Sequence, residues 1–118
     1  MAAVAGVAGA GALGALARYA VGRALRAWST AFPWGTFVIN VAGCLAIGVA
    51  GALATHAGGL APLLRRDVMT GFIGAFTTFS TFTLEAVMLA ESAPVAAAVY
   101  LLGSTAAGLA AVWLGGAF

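Results

Sequence analysis

The stretch GFIGAFTTFSTFTLEA, Gly71 to Ala86, decides how the chain is read. It is apolar enough for a lipid bilayer, yet Thr77, Thr78, Ser80, Thr81 and Thr83 crowd its centre among Phe76, Phe79 and Phe82. With Thr70, six hydroxyls share one apolar run, five of them within seven residues. Ser and Thr in membrane helices often bond the carbonyl four residues back, and Phe often simply packs; hydroxyls at this density strain that reading. Phe79 and Phe82 are three apart and so lie near one helix face. Phenyl edges carry partial positive charge and hydroxyls donate, so the combination suits a small, hard anion without a fixed cation that would trap it. Gly71 and Gly74, just ahead, permit an interrupted helix whose freed carbonyls could hold a cation.

The surroundings fit a membrane. In 118 residues, 64% are hydrophobic and 7% charged, and the mean hydropathy is +1.11, which excludes an ordinary soluble fold. A spanning helix needs roughly 20 apolar residues, so four spans consume nearly the whole chain. Charge, Pro and Gly place them near residues 2–25, 34–54, 68–90 and 95–116, with Pro33 acceptable at the start of the second. HAGGLAPLLRRD, His56 to Asp67, reads as a connection. The expectation is one all-α, four-helix transmembrane domain over residues 1–118, its third helix interrupted. The first charge is Arg18, after a long Ala/Gly-rich run, so the N-terminal segment reads as a retained span rather than a signal peptide. Gly and Ala throughout allow close helix packing where lipid gives no hydrophobic drive.

Charge placement concerns orientation. With four spans, the termini and the His56–Asp67 loop share one side, which holds Arg65 and Arg66; the other holds Arg23 and Arg26, with Arg18 deeper in its span. Orientation follows Lys/Arg imbalance, and two against two is a tie. This predicts dual topology, with copies inserted both ways and assembled as an antiparallel homodimer about a two-fold axis in the membrane plane. The alternative is that Arg18 tips the count.

Other intramembrane polar groups should face the bundle interior, a partner helix or a water-filled path. Asn40 is either interhelical hydrogen-bond glue or an amide donor to an anion. Tyr100, Ser104 and Gly108 form a narrow stripe at i, i+4 and i+8. Arg18 either snorkels to the interface or attracts anions at a vestibule. Glu85, three residues past Phe82, is protonated, paired with Arg or exposed at a pore mouth. The lone Cys44 reads as a packing residue and His56 as a loop residue. A formal charge of +2 is too small and dispersed for a nucleic-acid surface. No nucleotide-binding GxxxxGK[ST] run and no catalytic triad or metal-ligand grouping is present, so an enzyme is not expected.

GALGALARY (Gly11 to Tyr19), WGTFVINVAG (Trp34 to Gly43) and GFIGAFTTFSTF (Gly71 to Phe82) together resemble the CrcB/Fluc family of fluoride channels. The resemblance covers almost the entire chain. It implies a passive fluoride-selective channel in the bacterial plasma (inner) membrane, a dual-topology homodimer with two antiparallel pores that export cytoplasmic fluoride. It implies a structural Na⁺ held by backbone carbonyls of Gly74 and Thr77 from both subunits. Phe79 and Phe82 would supply ring edges to the fluoride pathway, Asn40 its amide, and Ser80 and Thr81 hydroxyls beside it. Tyr100 and Ser104 look like the family's fourth-span lane, and Arg18 matches its first-span arginine at the vestibule. Two departures stand out: Gly108, where some relatives carry a hydroxyl, and Ala10, where a Gly-Gly pair is common. The expected partners are fluoride, a second copy of the chain and the lipid bilayer.

Two rival readings belong to other classes. A small dual-topology, proton-coupled multidrug transporter would need an embedded carboxylate in the first span, and that span has Arg18 and no acid. A membrane scaffold would need the glycine faces, with the hydroxyls incidental.

Overall fold

A computed structural model describes residues 1–117. Every regular element among them is helical. Helix α1 spans Ala2–Ala24 and α2 Trp34–His56. The third crossing is made of two pieces, α3 over residues 61–76 and α4 over Ser80–Ser92, and α5 spans Pro94–Gly116. Four segments are long and apolar enough to cross a bilayer: Ala2–Ala24, Trp34–His56, Gly58–Ser92 and Pro94–Gly116.

Helical structure extends into the stretch that its Gly, Pro and charges mark as a connection. Gly58–Leu60 forms a single 3₁₀ turn, entered through Gly58 at φ +56°, a left-handed conformation that glycine adopts without steric cost. Pro62 then falls in the first turn of α3, where its missing N–H removes no helical hydrogen bond. From Leu64 to Ile73 the helix widens to π-type turns, and the Thr70 hydroxyl donates to the Arg65 carbonyl five residues back at 3.2 Å.

Packing depends on bare backbone. A Cβ at Gly14 of α1 would collide with the Phe72 carbonyl of α3, and one at Gly48 of α2 with the Val112 carbonyl of α5. Gly115 returns the second contact, facing the Leu45 carbonyl of α2. These approaches fix α1 on α3 and α2 on α5 by close van der Waals packing, the attraction that remains when helices are solvated by lipid. The largest side chain wholly enclosed is Tyr100 at 0% exposure. Leu13, Leu16, Leu102 and Leu109 instead point outward, as the bilayer-facing side of a membrane bundle should.

Candidate functional site: a broken helix between two cavities

The third crossing breaks at Thr77, whose backbone turns extended at φ −84°, ψ 161°. Gly74 keeps helical angles at φ −59°, ψ −37°, so the glycines expected to permit the interruption are not where it falls. Asn40 of α2 holds the break open. Its Oδ1 accepts from the Thr78 N–H at 2.8 Å, and its Nδ2 donates to the Thr78 carbonyl at 2.9 Å. One side-chain amide thus satisfies both backbone polar groups of a part-buried residue that has left the helix. The Thr78 hydroxyl then accepts from the Thr81 N–H at 3.2 Å and caps the restart of the helix at Ser80 in the manner of an N-cap.

Diverting these two N–H groups has a direct consequence. In an uninterrupted α-helix the Thr78 N–H would serve the Gly74 carbonyl and the Thr81 N–H the Thr77 carbonyl. Here they go to Asn40 Oδ1 and Thr78 Oγ1. The Gly74 and Thr77 carbonyls, the pair that the family resemblance puts forward for a cation, are among those at the break that lose their helical donors. Neutral carbonyl oxygens at a chain break are suited to a hard cation.

A cavity of about 350 Å³ lies on one side of the break and is lined by Asn40, Cys44, Thr77, Phe79, Phe82, Ser104 and their neighbours. The Phe79 and Phe82 rings are 6.1 Å apart and tilted by 53°. Phe79 is 76% exposed on the single chain. Phe82 is held from behind, edge to face against Tyr100 at 5.0 Å, and Tyr100 is itself braced by Phe32 at 5.3 Å. The Ser104 Oγ is enclosed with no hydrogen-bond partner among the described residues.

A second cavity of about 400 Å³ opens on the other side, and Thr78 lines both. Its walls include Arg18, Arg23, Arg26, Thr36 and Thr81. The Arg18 Nε is enclosed without an acceptor among the described residues.

The sequence-predicted site residues therefore divide into groups. Asn40, Phe79, Phe82, Thr77 and Ser104 meet at the first cavity, and Arg18 and Thr81 at the second. Tyr100 stands behind Phe82 and donates its hydroxyl to Glu85 Oε1 at 3.3 Å, which gives Glu85 a partner that spacing did not show. Ser80 is exposed and borders neither of these two cavities. Three hydroxyls in the dense regions bond their own helices: Thr77 to Ile73, Thr83 to Ser80 and Thr105 to Leu101. The ordinary explanation of membrane hydroxyls holds for those and fails for Ser104. Sequence reasoning passed over Phe32, Thr36 and the double role of Thr78. The aromatic cluster around Pro33 was the visible signal for Phe32.

These features define a multi-pass membrane protein with a broken helix beside polar-lined cavities. Residues 5–116 match the family described as CrcB-like protein, Camphor Resistance (CrcB). Among relatives named fluoride-specific ion channel FluC, that of Nitratidesulfovibrio vulgaris is 50% identical over 108 residues, covering 90% of this chain and 87% of its own. That of Acidobacterium capsulatum is 50% identical over 111 residues, covering 89% and 86%, and that of Rhizobium etli is 46% identical over 107 residues, covering 89% and 86%. The chain belongs to the CrcB family, a family of membrane ion channels rather than enzymes.

Proposed function

We propose that the protein is a passive, fluoride-selective channel that returns cytoplasmic fluoride across the bacterial plasma membrane. The observation that carries this reading is the first cavity, whose walls bring together the Phe79 and Phe82 rings, the orphan Ser104 hydroxyl and the Asn40 amide, one N–H of which goes to the Thr78 carbonyl. Each is a weak donor to a small anion. Fluoride sheds water in steps as these groups replace it, and weak individual sites let it leave again. Thr81 and the Arg18 guanidinium serve the other face of the break, where positive charge raises the local anion concentration. Ser80, exposed on the single chain, faces the pathway only once a neighbouring chain encloses it.

The working unit is an antiparallel homodimer of dual topology with two pores. A Phe79 ring three-quarters exposed beside an otherwise lined cavity supports a missing wall supplied by a second copy. The balanced arginine count supports insertion both ways. Carbonyls freed at the break, those of Gly74 and Thr77 among them, would together with their copies from a second chain suit a structural Na⁺ that pins the copies together. The proton-coupled exporter lacks its required acid in α1, and Glu85 sits on α4 bonded to Tyr100.

The test is fluoride efflux from liposomes containing purified protein, followed with a fluoride electrode, with chloride as control. Rapid efflux of fluoride alone is expected. No efflux in Na⁺ from folded, dimeric protein would sink the channel reading.

A further inference from the structure

Arg18, Arg23 and Arg26 all border the second cavity. A guanidinium offers five N–H donors, yet the side-chain partner of this trio among the described residues is a single phenol, Tyr19, which accepts from Arg23 Nη1 at 3.2 Å. The contrast lies at the opposite end of the molecule, where Arg66 is neutralised by Asp67 at 2.6 Å. No acid lines the arginine cavity, whose remaining polar walls are the hydroxyls of Thr36, Thr78 and Thr81. The Arg18 Nε is enclosed and unpaired, which makes it a buried donor awaiting an acceptor.

A monatomic anion engages one fork at a time, and about 400 Å³ is far more than it needs. Three forked planar donors along one stretch of chain, Arg18 and Arg23 on α1 and Arg26 just beyond it, match a tetrahedral oxyanion, which accepts bidentate bonds from more than one guanidinium. The outward-facing Trp28 just beyond α1 places this end at headgroup depth, where indole rings collect. We infer that the Arg18–Arg23–Arg26 cavity is a binding site for a phosphate-class oxyanion, either a phospholipid headgroup or free phosphate. The site shares Arg18 and Thr81 with the anion entrance assigned above; binding is read directly, so its failure and a failure of fluoride conduction are distinguishable.

The test uses purified full-length protein in neutral detergent with two probes, inorganic phosphate by calorimetry and phosphatidylglycerol retention by native mass spectrometry. Three variants accompany the wild type: Arg23→Gln with Arg26→Gln, Arg26→Gln alone, and Arg65→Gln as a charge-matched control at the other end. Loss of charge-assisted bonds should weaken binding about tenfold in the double variant, less in Arg26→Gln and not at all in Arg65→Gln. Lipid retained against excess phosphate identifies the headgroup as the source, and phosphate binding without lipid retention identifies the free ion. Binding of neither probe, or equal loss in Arg65→Gln and the double variant, overturns the site. If the double variant does not fold, the comparison of Arg26→Gln with Arg65→Gln decides.

Discussion

Asn40 and Thr78 lie 38 residues apart in sequence and exchange two hydrogen bonds, with the side-chain amide of one pairing with both backbone groups of the other. The interruption of the third crossing is thus set from α2, and α2 is in turn fixed to α5 through Gly48 and Gly115.

Replacing Asn40 by Ala should leave the part-buried Thr78 N–H and carbonyl without their partner, at a cost of about 1 kcal/mol for each hydrogen bond lost. The expected outcome is a clear fall in the thermal midpoint in detergent, followed by tryptophan fluorescence, together with loss of efflux. Unchanged stability would show that the break does not depend on the amide.

Phe79 and Phe82 should separate under substitution by Ile. Both variants are expected to lose fluoride efflux. Both variants give up the Phe79–Phe82 ring pair, but only Phe82→Ile also loses the edge-to-face contact with Tyr100, worth about 1 kcal/mol, so it should melt earlier than Phe79→Ile by a few degrees. Equal melting of both variants would contradict the bracing of Phe82.

The Thr78 hydroxyl diverts the Thr81 N–H away from the Thr77 carbonyl. Thr78→Val keeps the shape and removes the acceptor, which loosens the turn that holds the Thr77 carbonyl out of the helix. The Na⁺ concentration needed for half-maximal efflux should then rise about fivefold, the equivalent of one N-cap, while Thr78→Ser stays near wild type. An unaltered Na⁺ dependence in Thr78→Val would separate the cap from the cation.

Gly48→Ala should give little monodisperse protein on size exclusion, because its methyl meets the Val112 carbonyl and overpacking of this kind costs about 1–3 kcal/mol. Gly51→Ala, with nothing within 4 Å of the added carbon, should elute as wild type. Matching profiles would show that α2 and α5 can move apart freely.

Much of the architecture was legible because a membrane reduces the problem to counting apolar runs, and four of them leave no room for another fold. An interruption of the third helix was permitted by Gly71 and Gly74 and implied by the family resemblance. Its cause was not legible. Local reasoning credited Gly71 and Gly74 with conformational freedom, whereas Gly74 stays helical and the departure at Thr77 is stabilised by a side chain from another helix. Periodicity placed Phe79 and Phe82 on one face and Ser104 on the Tyr100 stripe. It had no means of showing that Tyr100 turns its ring to Phe82 and its hydroxyl to Glu85, since both partners lie across a helix junction. Hydroxyl density was a partial guide, because Thr77, Thr83 and Thr105 bond their own helices and leave Ser104 as the unsatisfied member.

The close backbone approaches also bear on how this sequence can drift. Glycine and alanine codons differ by a single base, so the exchange is one mutational step away at every glycine. At Gly9, Gly22, Gly51 and Gly103 an added carbon meets open space, and mutational pressure can act there unopposed. At Gly14, Gly48 and Gly115 a carbonyl of the neighbouring helix bars the same substitution. The glycines that remain in an alanine-rich descendant of this chain should therefore trace the lines along which its helices touch.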